Sequence, residues 1–300
     1  MMVSHGIPGE QIGKVRRRPL LAAAAASVVG FPFLASATTP KKPVRIGWTD
    51  WADAEAITLL TWAILEQQMG YKVELVKAGI AQQFQGVADG SLDLMMMCWL
   101  PNTHKSYWEA AAPQVIDLGP VYQGCKIGWI VPNSVPTFEL GSIDDLAKPA
   151  VREKLGGRIH GIELGTGLMK ASAKALEDYR LGGYELVTGT DQAMVAAIDK
   201  AVVERHWTVA ASWTPHYMFS KYNLRYLKDP KGVFGGSERV HALARSGIEN
   251  DHPQVAALVR QIRLTASELE ALMYITQMQV FRGNSRHTTG ERTAAMWIKG

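Results

Sequence analysis

A chain of 300 residues, 47% of them apolar, can bury a large core and forms either one large domain or two modest ones. Its formal net charge of +4 sits mostly at the start: residues 1–37 hold Lys14, Arg16, Arg17 and Arg18 against Glu10, a net of +3, which leaves +1 for the rest. That balance excludes the strongly basic face that a nucleic-acid partner needs, and no apolar run beyond residue 37 reaches the roughly 20 residues that span a bilayer.

In chain order, the three arginines precede an apolar run over residues 20–34 that closes on Ala35-Ser36-Ala37, the small-x-small pattern of a signal-peptidase site. Residues 1–37 therefore read as an export signal cleaved after Ala37, by the general or the twin-arginine route. With no cysteine at the cleavage point, the mature protein is expected free in the periplasm. Cys98 and Cys125 would meet an oxidising compartment, where they either pair or stay as buried thiols.

Residues 44–48 read as a first strand, and 49–53 as a turn into a helix running to about residue 69. Asp50 or Asp53 is its expected cap, and Ile57, Leu60, Ile64 and Leu65 its buried stripe. A strand at 72–76, a short helix at 81–88, a strand ending at Trp99, a helical piece at 105–111 and strands at 115–118 and 126–131 complete a βαβαβ alternation, the mark of a parallel sheet covered by helices. Punctuation by Pro132 and Pro136 opens a second set: a strand at 158–163, a helix at 167–179, a strand at 185–187, a helix at 192–205 capped by Thr190 or Asp191, and a strand ending at Trp213. After a break at 228–232, a strand at 239–244 and helices at 253–263, 266–278 and the C-terminus return to the first set. The expected architecture is α/β and two-lobed, each lobe a mainly parallel sheet flanked by helices. Residues 44–131 plus 228–300 form lobe I and 132–227 lobe II, with the ligand in the cleft between them.

The run 92–98 is apolar but for Asp93, as suits a strand buried on both faces, and Pro101 stops it just beyond Trp99. The pattern returns at 207–215, where a strand-like run ends at Trp213 and Pro215 follows. Two such ends suggest two sheets presenting rings to one place, beyond the carboxyl ends of their strands, where open α/β sheets bind ligands. Catalytic and metal signatures are missing: there is no Gly-x-Ser-x-Gly elbow, phosphate loop, His-Glu-x-x-His or Cys-x-x-Cys, so neither an enzyme nor a cofactor or metal is expected.

Nine tryptophans remain as the chemical signal, because an indole face attracts a cation. Trp62, Trp108, Trp129, Trp207 and Trp297 fall where core packing explains them, whereas Trp48 and Trp51 flank a strand-to-helix turn and Trp99 and Trp213 form the repeated pair. The turn Gly165-Thr166-Gly167 opens a helix whose first amides can hold an anion, though glycine before a helix is also ordinary turn chemistry. His104 can donate to an anionic oxygen or simply pack.

These residues carry a resemblance. Gly47-Trp48-Thr49-Asp50-Trp51, the run Trp-Leu-Pro-Asn-Thr-His over 99–104 and Ser212-Trp213-Thr214-Pro215-His216 look like the glycine betaine/proline betaine substrate-binding proteins of ABC transporters, over nearly the whole mature chain. The resemblance implies a type II periplasmic-binding-protein fold that closes over its ligand. It implies an aromatic cage for a trimethylammonium group, matched by Trp51, Trp99 and Trp213 with Trp48 as a further candidate wall. It also implies a carboxylate held by backbone amides and a histidine, matched by the Gly165-Thr166-Gly167 turn and His104. A permease with its ATPase would be the partner of a monomeric receptor. The Gly-Trp-Thr-Asp turn departs toward choline-binding members: Asp50 facing the cleft would favour choline over a carboxylate ligand, whereas Asp50 as a helix cap would not. Carnitine and dimethylsulfoniopropionate suit the same cage, and a betaine- or choline-metabolising enzyme on this scaffold is the rival of another class.

Overall fold

The computed structural model describes residues 42–281, so the export-signal reading of 1–37 and the helix expected at the C-terminus lie outside the described residues. Nine strands alternate with helices: β1 Val44–Trp48, α1 Ala52–Ala63, β2 Val73–Lys77, α2 Ile80–Asp89, β3 Leu94–Leu100, α3 Lys105–Ala111 and β4 Val115–Pro132 come first. They are followed by α4 Pro149–Lys154, β5 Arg158–His160, α5 Gly167–Asp178, β6 Glu185–Val187, α6 Asp191–Glu204, β7 Ala210–Thr214, β8 Leu224–Tyr226 and β9 Glu238–Arg245. The helices Pro253–Val259 and Ala266–Phe281 close the described chain, the latter packing against α1, which is buried along its whole length. Among the described residues no helix is long and apolar enough to cross a membrane.

The strand order is β2-β1-β3-β9-β4-β7-β5-β6, with β8 on the far half of β4. Parallel pairing holds on the outer sides, β1 with β2 and β3, and β5 with β6 and β7. Where the chain crosses between lobes the pairing is antiparallel, β9 with β3 and β4, and β4 with β7 and β8. Each lobe is thus a mixed sheet flanked by helices.

β4 is one strand where the sequence reads as two. Pro120 and the glycines around it look like a break, but the register shifts at 117/119, 120/122 and 123/125 absorb them. Gly119 and Gly124 take positive φ of 98° and 77°, the left-handed backbone that glycine reaches without a Cβ clash. Up to Cys125 the strand pairs with β9; from Lys126 onward it pairs with β7, so it belongs to both sheets.

The start of α1 also differs from expectation. Its N-cap is Trp51, with no side-chain cap. Asp50 pairs with Lys77 instead, and Asp53 turns inward, where it accepts from the Tyr122 hydroxyl at 2.8 Å. Burial pushes the Asp53 carboxyl up to about 6, against the lowering effect of that bond. A cap is a local expectation, and here the groups that compete for these carboxylates come from β2 and β4.

Asp93, the polar residue in an otherwise apolar run, pins three strands together. It accepts from Arg45 N at 2.8 Å and Nε at 2.9 Å on β1, and from Arg245 Nε at 2.6 Å on β9. Burial alone would raise its carboxyl, but the bonds from Arg45 and Arg245 outweigh that and hold it below the ordinary range. Asp93→Ala should lower stability by roughly 2–3 kcal/mol, less than a fully enclosed pair because the Arg45 side chain is 33% exposed. Urea unfolding measures it. Because the carboxyl is depressed in the fold, its contribution should be complete above about pH 4 and fade as the pH falls further.

Candidate functional site

Two strand ends face one another. β3 delivers Trp99 and β7 delivers Trp213, each followed by a cis X-Pro peptide, Leu100–Pro101 and Thr214–Pro215. Trp51, at the head of α1, brings its ring centroid to 6.4 Å from that of Trp213, the planes inclined at 59°. These three rings line a cavity of about 310 Å³, its open mouth included, together with Thr103, His104, Ile127, Ile162, Thr166, Gly167 and Leu168. No charged side chain is among them.

Each ring has its own support. The Trp99 indole N–H lies 3.0 Å from the Met97 sulfur. Trp213 packs edge-on against His216 at 4.8 Å. From the opposite side of the cleft, Glu163 accepts the Trp51 indole N–H at 3.1 Å. A carboxylate on the indole N–H pushes electron density into the ring, which strengthens its attraction for a cation.

His104 is buried, edge-on to Phe84 and Tyr107. Its Nδ1 accepts the Trp99 amide at 3.0 Å, so the remaining proton is on Nε2. Burial lowers its pKa to about 3, and a neutral donor results. The loop that carries it is tied to β9: the buried Glu238 accepts from Asn102 N at 2.8 Å, from Thr103 N at 2.9 Å and from the Thr103 hydroxyl.

The α5 N-terminus forms the opposite wall. Thr166 Oγ1 caps it by accepting from Met169 N at 3.2 Å while donating to the Glu163 carbonyl at 3.1 Å. Gly167 and Leu168 line the cavity, and as the first residues of the helix their amides have no intrahelical acceptor and have the helix dipole behind them. Gly167 has a second constraint: a Cβ there would stand 2.3 Å from the Thr103 carbonyl oxygen of the other lobe.

Of the residues singled out in the sequence, the structure brings Trp51, Trp99, His104, Thr166, Gly167 and Trp213 to one cavity. Trp48 is buried at the end of β1 and is not on that wall, its carbonyl accepting Ala78 N at 2.9 Å. Gly165 lies outside the cavity too; its φ of +85° makes the turn, and its carbonyl accepts from the Tyr107 hydroxyl at 2.9 Å. Cys98 and Cys125 are separate buried thiols. Unforeseen in the sequence are Thr103, Ile127, Ile162 and Leu168. Leu168 enters as the second residue of a helix, a position that no side-chain motif advertises, and the others are ordinary residues made adjacent by the fold.

Two α/β lobes around one aromatic cavity, sharing strand β4 between their sheets, define a binding protein of the type II periplasmic class. Residues 42–300 match the family of substrate binding domains of ABC-type glycine betaine transport systems, and the chain belongs to that family. It is similar to lactococcal OpuAC in its closed form complexed with glycine betaine, at 32% identity and a TM-score of 0.75, covering 86% of this chain and 97% of that one. It is also similar to the glycine/betaine/L-proline-binding protein ProX of Borrelia burgdorferi, at 28% identity and a TM-score of 0.76, covering 84% and 92%. The glycine betaine/carnitine transport binding protein GbuC of Listeria monocytogenes serotype 1/2a (strain 10403S) is 33% identical over 155 residues, 51% of this chain and 49% of that protein, so the match spans about half of that relative's length. The family is one of binding proteins, not of enzymes.

Two expectations follow from the geometry. The His104 ring should show no protonation step in NMR across roughly pH 5–8, the range in which an ordinary histidine titrates. Gly167→Ala should keep the lobes from meeting, since its methyl group would need the space of the Thr103 carbonyl; small-angle scattering should then give a larger radius of gyration at saturating ligand than the unmodified protein has.

Proposed function

We propose that this protein is the periplasmic receptor of an ABC importer and encloses glycine betaine between its lobes. Trp51, Trp99 and Trp213 would surround the trimethylammonium group, while the Gly167 and Leu168 amides and His104 Nε2–H would take the carboxylate. The observation that carries this reading is the pairing, in one cavity free of charged side chains, of three indole faces with a helix N-terminus. A quaternary ammonium has no N–H to donate, so rings suit it better than acids do. Desolvated cation–π contacts worth about 2 kcal/mol each give roughly 6 kcal/mol from three rings, and the carboxylate bonds bring the sum to the scale of micromolar binding, about 8 kcal/mol.

Asp50 bears on the choice of ligand. As the acid that would favour choline it would have to face the cleft, but it pairs with Lys77 and is not on the cavity wall. The uncommitted amides want an anionic end instead, as glycine betaine and carnitine have and choline lacks. The lobes, read from the sequence as 44–131 with 228–300 and 132–227, would turn about two crossings. β4 makes the first, its pairing passing from β9 to β7 between Cys125 and Lys126, so that 126–131 pair with the second sheet ahead of the boundary read at 131/132. Ligand contacts from both lobes would supply the differential affinity that favours closure. The apolar leader ending at Ala37 supports export, and a permease with its ATPase would receive the closed, monomeric receptor.

Isothermal titration of ligand-stripped protein with glycine betaine, carnitine and choline tests the reading. Micromolar binding of glycine betaine with choline far weaker is expected, and Trp99→Ala should cost at least about tenfold, some 1.4 kcal/mol. A preference for choline would remove the amides and His104 from the ligand's carboxylate, and an unchanged dissociation constant in Trp99→Ala would take that ring out of the site.

A further inference from the structure

Asp191 and His216 lie on lobe II, at the start of α6 and just after β7, and are 2% and 0% exposed. His216 Nδ1 accepts the Met218 amide at 3.2 Å, so its proton is on Nε2, which lies 3.0 Å from Asp191 Oδ1. The other carboxylate oxygen reaches across the cleft: Ala52 N donates to Asp191 Oδ2 at 2.8 Å, also buried. Ala52 is the first residue of α1 and follows Trp51 directly. The missing cap of α1 is therefore supplied by the other lobe, and its negative charge sits where the helix dipole favours one. At the exposed edge of the same contact, Gln192 Nε2 donates to the Asp50 carbonyl at 3.1 Å.

We propose that the Asp191–His216 pair is a latch that positions the cage and retards its opening. It rests on the cage reading above. One end of the pair holds the backbone beside Trp51; the other packs His216 edge-on against Trp213 at 4.8 Å. When the lobes part, Ala52 N–H and Asp191 return to water and Trp51 loses its fixed distance to Trp213. Neither Asp191 nor His216 is on the cavity wall, so both are positioning residues, and their effect falls on the lifetime of the closed state. Encounter of the ligand with the open cleft does not involve them.

Two substitutions break the contact from opposite sides. Ala52→Pro deletes the donor and puts its ring Cδ where the N–H pointed, so Asp191 Oδ2 must also withdraw; the helix itself tolerates the change, since proline is favoured at the first helical position and Trp51, with φ −92° and ψ 142°, has the extended backbone that a following proline requires. Asp191→Asn leaves one acceptor oxygen for two donors, Ala52 N–H and His216 Nε2–H, so one bond must fail. Stopped-flow tryptophan fluorescence with glycine betaine gives both rate constants, and thermal melts of the ligand-free protein accompany it. Each variant should raise koff at least about tenfold with kon within about twofold, since changes at one interface act mainly on dissociation. The double variant should be no worse than the more affected single one, because both remove the same contact, and the Tm of the ligand-free form should be unchanged. A wild-type koff in Ala52→Pro overturns the latch, and so does a fall in ligand-free Tm with koff unmoved, which would make the pair a scaffold of lobe II. Trp99→Ala in the same series separates the readings: weakened there but intact in both latch variants, the cage stands and the latch falls. Failure of the unmodified protein to bind glycine betaine removes the cage reading and the latch with it.

Discussion

Strand β4 is the constraint from which the geometry of the cleft follows. Its backbone is committed to one sheet as far as Cys125 and to the other from Lys126. A ladder fixes its partners in register, so the two sheets cannot choose their separation along the strand. Trp99 is opposite Val240, which in turn is opposite Tyr122, and Trp213 is opposite Ile127. Five residues of strand at about 3.4 Å each place the two ring-bearing positions within some 17 Å along β4, a gap that two inward-leaning indoles and a ligand can fill. Bulges at the glycines let the strand bend there without losing its pairs on either side.

Polar groups around the cavity follow one economy: charge is kept off the wall and used behind it. Glu238 orders the loop of Thr103 and His104, Glu163 holds the Trp51 indole, and Asp191 caps α1, each through N–H donors that would otherwise be unsatisfied. The residues of the wall itself carry no charge: His104 is kept neutral by burial, and Gly167 and Leu168 open a helix whose dipole is fixed. A surface of that kind suits a zwitterion, whose net charge is zero and whose two ends are far enough apart to be met by different groups. A lysine or arginine in place of the amides would carry its own desolvation cost and would repel the cationic end.

The legible parts of the sequence were those in which one residue both ends an element and stands at the site. Trp99 and Trp213 can be read because the proline two residues on stops each strand, and Thr166 and Gly167 because a helix start announces itself. Asp50 misleads for the same reason: a carboxylate before a helix reads as a cap, and only the fold shows that Lys77 takes it while Asp191, more than a hundred residues away, bonds the first amide of α1. The continuity of β4 was hidden because proline and glycine are breaks in isolation and bulges in a paired strand. Backbone donors such as Leu168 leave no trace in the side-chain pattern, and the identity of a cavity wall such as Ile127 depends on register, which no local motif encodes.

The three rings are not held alike, and the difference assigns them different work. Trp99 and Trp213 end strands whose ladder bonds fix them within their own lobes. Trp51 sits at a helix start without a cap from its own side of the cleft: both nearby donors, its own indole N–H and the amide of Ala52, are taken by carboxylates from the opposite side. Its place beside Trp213 is thus set by how far the lobes approach, and the approach is limited by Gly167 against Thr103, where there is no room for even a methyl group. On the function proposed above, a bulkier cationic head would hold those two residues apart, and in doing so would lengthen the bonds that orient Trp51. Discrimination by head-group size would then need no steric wall among the rings, because a poor fit would be registered as lost hydrogen bonds at the helix start, outside the cavity wall.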